Sequence, residues 1–209
     1  GFATYISGLA YESLFPEKDY WERWKTEKRA HIITQPGGSV YVEDTTDIDR
    51  IFDARLSYNK GAMVLHMLRK TIGDTAFFTG VNNYLYEAAH HYGFASMDSF
   101  INSMEVAADT SLTEFFNDWY YGEGYPTYTI NYTPGCSALF HVTLSQETSH
   151  ESVDFFEMPV ALHLKSSYAD TIVVLNNTYN HQYYVIPLEF CVEEVVFDPE
   201  VSLVAGPPE

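Results

Sequence analysis

The chain has 209 residues, of which 46% are hydrophobic and 16% aromatic, so it can build a packed core and is not an intrinsically disordered protein. Its net charge of −18, with only 11 lysines and arginines, argues against binding to nucleic acid or an anionic membrane surface, because both require a basic face. No apolar run is long enough to span a bilayer. Such acidity can attract cationic groups such as a free amine, although solubility alone is the simpler explanation.

The first half of the chain, residues 1–123, has the apolar periodicity of helices. The first predicted helix, "FATYISGLAYESLF", places Phe2, Ile6 and Leu9 near one face. Pro16 either ends this helix or opens the next one, "EKDYWERWKTEKRAH". A loop with glycine and proline breakers, "TQPGGSVYVEDTTDIDR", follows.

Further helices are predicted after this loop. One runs from about Tyr58 to Ile72 and ends at Gly73, a natural C-terminal signal. Asp74 can cap the next helix, "TAFFTGVNNYLYEAAHHY", and Ser96 opens "MDSFINSMEVAA". The last predicted helix of this half is "LTEFFNDWYY".

From Tyr125 the pattern changes to the alternation of short strands, and six or seven such strands predict an antiparallel β-sandwich. The sequence therefore predicts a multidomain α+β protein, with an all-helical lobe at residues 1–124 and a β-sandwich at residues 125–209. The predicted strands are "TYTINYT", "ALFHVTLSQ", "FEMPVALHLKS", "TIVVLNN", "QYYVIPLEF" and "VEEVVFDPE".

Several motifs of known chemistry are absent from the sequence: H-E-x-x-H, G-x-S-x-G, the P-loop and the dinucleotide fingerprint. The adjacent His90 and His91 diverge on a helix and chelate poorly, and His66 inside an apolar helix favours a packed histidine over a ligand. Cys136 and Cys191 lack metal-ligand spacing. They form either one disulfide in an exported protein or two unpaired, buried thiols.

Three segments carry a resemblance to a known family: "GFATY", "SYNKGAMVLHMLRKTIGDTAFFTGVNNYL" and "LTEFFNDWYYGEGYP". In this order and spacing they resemble the zinc aminopeptidases of the aminopeptidase N and leukotriene hydrolase family, the gluzincins. That family has an H-E-x-x-H helix, a third zinc ligand in "N-E-G-F-A-x-Y", a later "Y-x-K-G-A", and a β-sandwich after the catalytic domain. The resemblance implies a C-terminal fragment that lacks the H-E-x-x-H helix, from a parent enzyme that removes N-terminal residues from peptides.

By this resemblance Tyr58 is catalytic, because the tyrosine of "Y-x-K-G" points at the metal and donates its hydroxyl to the tetrahedral intermediate. One fixed donor at an oxyanion contributes about 3 kcal/mol. Gly61 would let a neighbouring helix or the substrate approach closely, at a helix-propensity cost of about 1 kcal/mol against alanine. Periodicity alone favours a different interpretation of Tyr58, a core residue whose hydroxyl is satisfied.

The resemblance also implies where the zinc would be held. The third ligand would be a glutamate directly before Gly1, so all ligands and the general base would lie upstream. We therefore expect zinc in the full-length parent, and neither zinc binding nor peptidase activity in this fragment. Ser7 stands where the family has an acidic residue that hydrogen-bonds a ligand histidine, and such a loss costs about 10–100-fold in metal affinity or activity. An alternative is thus a non-catalytic pseudo-peptidase, a binding or structural module with the same fold.

The expected partners are the upstream part of the same chain, which would cover an apolar face of the helices, and peptide substrates in the parent. Neither nucleic acid nor a membrane span is expected. The resemblance and the lack of basic patches favour an exported protein, in the periplasm, at the cell surface or secreted. A weaker option is that the sandwich alone binds carbohydrate or protein. However, Tyr183 and Tyr184 are adjacent in a strand and would face opposite sides.

Overall fold

The computed structural model describes residues 1–15, 18–86, 93–136 and 138–208; Pro16, His90 and His91 lie outside them. Helices occupy the first part of the chain and antiparallel strands the second, which confirms the predicted α+β fold, and each predicted strand segment contains a strand. Within the described ranges, no helix combines the length and apolarity that a membrane span needs. The helices, including two π-helical segments, are α1 (Phe2–Leu14), α2 (Lys18–Ile32), α3 (Ile48–Ile51), π1 (Ala54–Lys60), α4 (Gly61–Ile72), α5 (Asp74–Tyr86), α6 (Met97–Ala108), α7 (Thr113–Phe116) and π2 (Asn117–Tyr121). The strands are β1 (Pro126–Tyr132), β2 (Leu139–Thr148), β3 (Met158–Lys165), β4 (Asp170–Asn177), β5 (Gln182–Pro187) and β6 (Glu194–Phe197).

Helix α1 buries only part of the apolar stripe of its sequence, since Leu9 packs against the core with partial burial. Tyr5 and Gly8 face the core, whereas Phe2 is 39% and Ile6 61% exposed. The packing of α2 explains this orientation: a Cβ added at Gly8 would lie 2.7 Å from the ring of Trp21, so the ring occupies the space that a side chain would need. Phe2 and Ile6 are consequently left as exposed apolar side chains.

The central helix starts earlier than predicted. The predicted start at Tyr58 lies inside π1, which continues directly into α4. The carboxylate of Asp53 accepts a hydrogen bond from the Leu56 N–H at 2.6 Å and so caps a helix that opens upstream of the predicted start. The helix ends at Gly73 as predicted, with a φ of 82° that glycine adopts at little cost.

Two three-stranded antiparallel sheets, ordered β1-β2-β5 and β4-β3-β6, follow the helices. The ring of Tyr128 on β1 lies 5.1 Å from the ring of Phe197 on β6, so the two sheets share one core. Tyr183 is 56% exposed, while the hydroxyl of Tyr184 donates to the Asn176 carbonyl on β4 at 2.7 Å. These neighbouring tyrosines face opposite sides and form no flat platform, as predicted.

The segment after β6 runs back onto the helices. The Val204 N–H donates to the sulfur of Met67 on α4 at 3.4 Å. Arg29 on α2 forms an ion pair with the buried Asp198 at 3.1 Å. These contacts hold the helical and sheet regions against each other.

Cys136 and Cys191 are joined by a disulfide bond, so the alternative of two unpaired thiols is wrong. The bond lies beside a backbone bridge between Gly135 and Val192. It therefore links the connection between β1 and β2 covalently to the segment that leads into β6.

We expect this disulfide to contribute to the free energy of unfolding. Replacement of both cysteines by serine lowers the free energy of unfolding by about 2–4 kcal/mol, because a disulfide restricts the unfolded chain. Urea unfolding followed by tryptophan fluorescence measures the loss. Reduction of the unsubstituted protein should lower its stability to the value of the Cys136→Ser/Cys191→Ser variant, which should not respond to reductant. Equal stability of the oxidised protein and the variant would contradict the prediction.

Candidate functional site

The candidate site is built around a close backbone contact between Gly1 and Gly61. The Gly1 nitrogen donates a hydrogen bond to the Ser57 carbonyl at 2.7 Å. A Cβ added at Gly61 would lie 3.1 Å from the Gly1 Cα, and one at Gly1 would lie 3.2 Å from the Gly61 carbonyl carbon. A neighbouring helix therefore does approach Gly61 closely, and the beginning of α1 lies against the junction of π1 and α4.

Tyr58 lies one turn before that contact, on π1. Its side chain is 41% exposed, and no hydrogen bond of its hydroxyl is seen among the described residues. The interpretation of Tyr58 as a core residue with a satisfied hydroxyl is therefore wrong. An exposed phenol on a π-helical turn can donate a hydrogen bond to a molecule that approaches from outside, and π-helical turns are frequent at functional sites.

Arg50 fixes the turn that carries Tyr58. Its guanidinium donates to the Ser57 hydroxyl at 3.1 Å and to the carbonyls of Ser39 and Tyr41 at 2.7 and 2.8 Å. One side chain thus joins π1 to the loop that precedes α3. This role could not be predicted from the sequence, because nothing in "TDIDRIF" shows which carbonyls an arginine will reach.

Lys60 stabilises the same turn on its buried side. Only 1% of this residue is exposed, and its amine donates to the carbonyls of Gly38 at 2.8 Å and Gly122 at 3.4 Å. Burial lowers the pKa of the Lys60 amine to about 7, and the charge of Arg55 adds to this effect. The burial of Lys60 was not predicted either, since lysine is almost never buried. Its place directly before the apolar run "GAMVL" is the signal that could have found it.

Three tyrosines form a wall beside this turn. The ring of Tyr41 lies 5.9 Å from the ring of Tyr120 and 5.3 Å from that of Tyr121. Tyr41 and Tyr121 are 42% and 43% exposed. Because Arg50 binds both the Tyr41 carbonyl and Ser57, it connects this wall to the turn of Tyr58. Exposed phenol rings offer both apolar contact and hydrogen bonds to a ligand.

Ser7, the other predicted near-site residue, does not join this group. It is exposed on α1, and its hydroxyl donates to the Thr4 carbonyl of the same helix at 2.6 Å. Tyr58, Gly61 and the start of α1 are therefore brought together, while the described residues give Ser7 no other hydrogen bond.

The described residues do not fit a metal on their own, since no group of three or more His, Cys, Asp or Glu among them could hold an ion. His66, predicted to be packed, is 1% exposed, and its ring lies 5.3 Å from that of Trp21. Burial lowers the pKa of His66 to about 3, so its imidazole is neutral.

Comparisons with known proteins agree on one family. Residues 1–119 match the Peptidase family M1 domain. Aminopeptidase N of Lactobacillus delbrueckii subsp. lactis is 31% identical over 131 residues, which are 60% of this chain and 15% of that protein. Alanine/arginine aminopeptidase of Saccharomyces cerevisiae is 29% identical over 189 residues, which are 84% of this chain and 21% of that protein.

The fold has a solved counterpart. The crystal structure of Legionella pneumophila aminopeptidase A in complex with aspartic acid matches 100% of this chain and 23% of that chain, with a TM-score of 0.76 and 14% sequence identity. This likeness shows the fold. The chain spans less than a quarter of the length of each of these three proteins.

The buried Lys60 predicts a pH dependence of stability. The unfolded lysine holds its proton up to its ordinary pKa of 10.5, whereas the buried amine loses it near pH 7. Between these values the unfolded state binds more protons, so the free energy of unfolding rises with pH. Urea unfolding at pH 7 and pH 9.5 should show this rise in the unsubstituted protein and a smaller rise in Lys60→Met.

Lys70→Met is the matched control, because the Lys70 side chain is 40% exposed. This variant should keep the pH dependence of the unsubstituted protein. A pH dependence that is the same in Lys60→Met as in the unsubstituted protein would show that Lys60 titrates alike in both states.

Proposed function

The chain belongs to peptidase family M1, and from this premise we propose that it is the C-terminal part of the catalytic unit of a zinc aminopeptidase, which removes N-terminal residues from peptides. The names of similar proteins support the activity, since aminopeptidase N and alanine/arginine aminopeptidase are among them. The observation that carries the proposal is the exposed Tyr58 on its supported turn.

Tyr58 is the transition-state donor in this proposal. A phenol is a neutral hydrogen-bond donor at working pH, and its hydroxyl would bind the oxyanion that forms when the scissile carbonyl is attacked. Such a donor contributes about 3 kcal/mol only if it is held in place before the reaction. Arg50 and Lys60 supply this support, because together they fix the middle and the C-terminal end of π1 to the surrounding loops.

The zinc ligands and the general base belong to residues N-terminal to Gly1 in this proposal. The hydrogen bond from Gly1 to Ser57 supports it, because a residue directly before Gly1 would enter next to the turn of Tyr58. When bound, the zinc would polarise the scissile carbonyl and activate water. We propose that the 209 residues alone are inactive.

The exposed apolar surface fits a partner from the same chain. On α1, Ile6 and Leu14 are 61% and 71% exposed, and Ile48 on α3 and the adjacent Phe52 are 68% and 63% exposed. Large apolar side chains that gather on one exposed surface commonly mark an interaction site. We propose that the upstream half of the catalytic domain covers it in the parent, and that peptides are the substrates there.

The compartment in this proposal is an oxidising one: the periplasm, the cell surface or the extracellular space. The disulfide between Cys136 and Cys191 supports it, because disulfides persist mainly in exported proteins. The domain division at residues 124 and 125 remains part of the proposal.

A second candidate is a non-catalytic relative that uses the same fold as a binding or structural module. Ser7 favours it, because its hydroxyl could accept a hydrogen bond from a ligand histidine only without the negative charge of a carboxylate. Turnover by the parent protein separates the two candidates.

The exposed surface predicts self-association of the isolated 209 residues. Sedimentation velocity at rising concentration should show oligomers, and Ile6→Ser combined with Phe52→Ser should reduce them. Val174→Ser, at a 63% exposed position on β4, is the matched control and should leave the oligomers unchanged. A monomer at high concentration would contradict the proposed covering of this face.

Tyr58→Phe in the full-length parent tests the proposed catalysis. It removes one hydroxyl and should lower kcat by about a hundredfold, the loss expected for one oxyanion donor. The zinc content should stay unchanged, because the phenol is not a ligand in the proposal. Tyr11→Phe, at a 38% exposed position on α1, is the control and should keep full turnover.

Three outcomes would contradict parts of this account. Normal turnover in Tyr58→Phe would remove the proposed role of its hydroxyl. A parent without any turnover would favour the binding module. Chelator-sensitive hydrolysis of an aminoacyl chromogenic substrate by the 209 residues alone would contradict their proposed inactivity.

A further inference from the structure

A cleft lies between the helical region and the sheets. It consists of two neighbouring cavities of about 460 and 380 Å³, and Glu114, Glu157 and Thr178 line both. The ends of α4 and α6 border the first cavity on one side, and β3 and β4 border it on the other. The segment 152–155 and Asp118 on π2 border the second. No residue of π1 lines either cavity.

The lining of the cleft is acidic, and no basic side chain among the described residues that line it balances its negative charge. Four carboxylates line it, those of Glu114, Asp118, Asp154 and Glu157, and among the described residues no lysine, arginine or histidine does. In that part of the chain none of the four forms an ion pair. Like charges at close quarters repel, so a cation in the cleft would lower the energy of all four.

Asp118 is the feature that points to a ligand. This residue is only 6% exposed, and one of its carboxylate oxygens is buried without a hydrogen-bond partner among the described residues. Its neighbour Trp119 is fully buried, with its ring 4.4 Å from that of Phe156, so the backbone of π2 is fixed here. A buried acceptor without a partner costs about 1–3 kcal/mol, and such groups call for an explanation.

We propose that this cleft binds an organic cation, a primary ammonium or a guanidinium group, with Asp118, Glu114 and Glu157 as its counter-charges. Both groups are donors only, and carboxylates are acceptors only, so the chemistry is complementary. A bound metal ion fits less well, since the described residues contain no group of three ligands with metal-binding geometry. The cation can come from a free polyamine or from a lysine or arginine side chain of a peptide. The site lies beyond the proposed peptidase function and does not depend on it.

The binding should depend on pH. Burial, followed by the charge of Glu114, raises the pKa of Asp118 to about 7. The other titratable groups that line the second cavity are the carboxylates of Glu114 on α7, Glu157 before β3 and Asp154, and the phenol of Tyr179, so none of them is a base. A cation favours the ionised carboxylate, so binding near pH 7 releases a proton and weakens as the pH falls.

The test is isothermal titration of the 209-residue chain with three probes: Nα-acetylarginine amide, spermidine, and the neutral Nα-acetylnorleucine amide. At pH 8 one or both cations should bind saturably, and the neutral amide should not. Asp118→Asn and Glu114→Gln should each weaken the binding about tenfold, the effect of one lost charge-assisted hydrogen bond. Glu193→Gln, at an exposed position outside the cleft, is the matched control and should change nothing.

Titration in two buffers of different ionisation enthalpy at pH 7 should reveal proton release that disappears in Asp118→Asn. If this variant does not fold, the exposed Glu114→Gln and Glu157→Gln carry the test.

Binding of spermidine supports a free amine, and binding of the arginine probe alone supports a peptide side chain. Equal affinity in all variants, equal binding of the neutral amide, or no binding of either cation would overturn the proposal.

Discussion

The backbone contact between Gly1 and Gly61 is the constraint on which the candidate site depends. It brings α1 so close to the junction of π1 and α4 that neither position has room for a side chain without displacement of the other. The glycine in the first turn of a buried helix gives up helix propensity, and in return two helices meet at backbone distance. Tyr58 lies one turn from this contact, so its place relative to the start of α1 is set by main-chain atoms.

Two basic side chains complete the support, of which Lys60 is buried and Arg50 is partly exposed. Lys60 donates to the carbonyls of Gly38 and Gly122, and Arg50 donates to those of Ser39 and Tyr41. Burial of an amine is costly, and the low pKa of Lys60 reflects that cost. The burial of Lys60 therefore lowers the stability of the folded protein at the turn that carries Tyr58. Such a cost is common at sites where a side chain must be positioned before a ligand binds.

Much of the fold could be predicted because periodicity reports directly on helices and strands. The six strands and the end of the central helix at Gly73 were predicted correctly. The π-helical start was not, because it depends on one hydrogen bond from Leu56 to Asp53. The exposed stripe of α1 was not either, because Gly8 lets the ring of Trp21 decide which face is buried.

The candidate site could be predicted only in part. Periodicity favoured a core tyrosine at position 58, and only the family resemblance singled out its hydroxyl, which the structure leaves exposed. Lys60 and Asp118 escaped notice because charged residues are expected at the surface, and no local pattern reveals which of them a distant segment will cover. The pairing of Cys136 with Cys191 likewise depends on the tertiary fold.

The central claim is that the Tyr58 hydroxyl binds the transition state and not the substrate. The most direct measurement compares inhibition constants of the full-length protein and its Tyr58→Phe variant for a phosphinic dipeptide, which resembles the tetrahedral intermediate, and for an amino-acid amide, which resembles the ground state. The account predicts that the variant loses about a hundredfold in affinity for the phosphinic dipeptide and little for the amide. Equal losses for both inhibitors, or no loss for either, would contradict it.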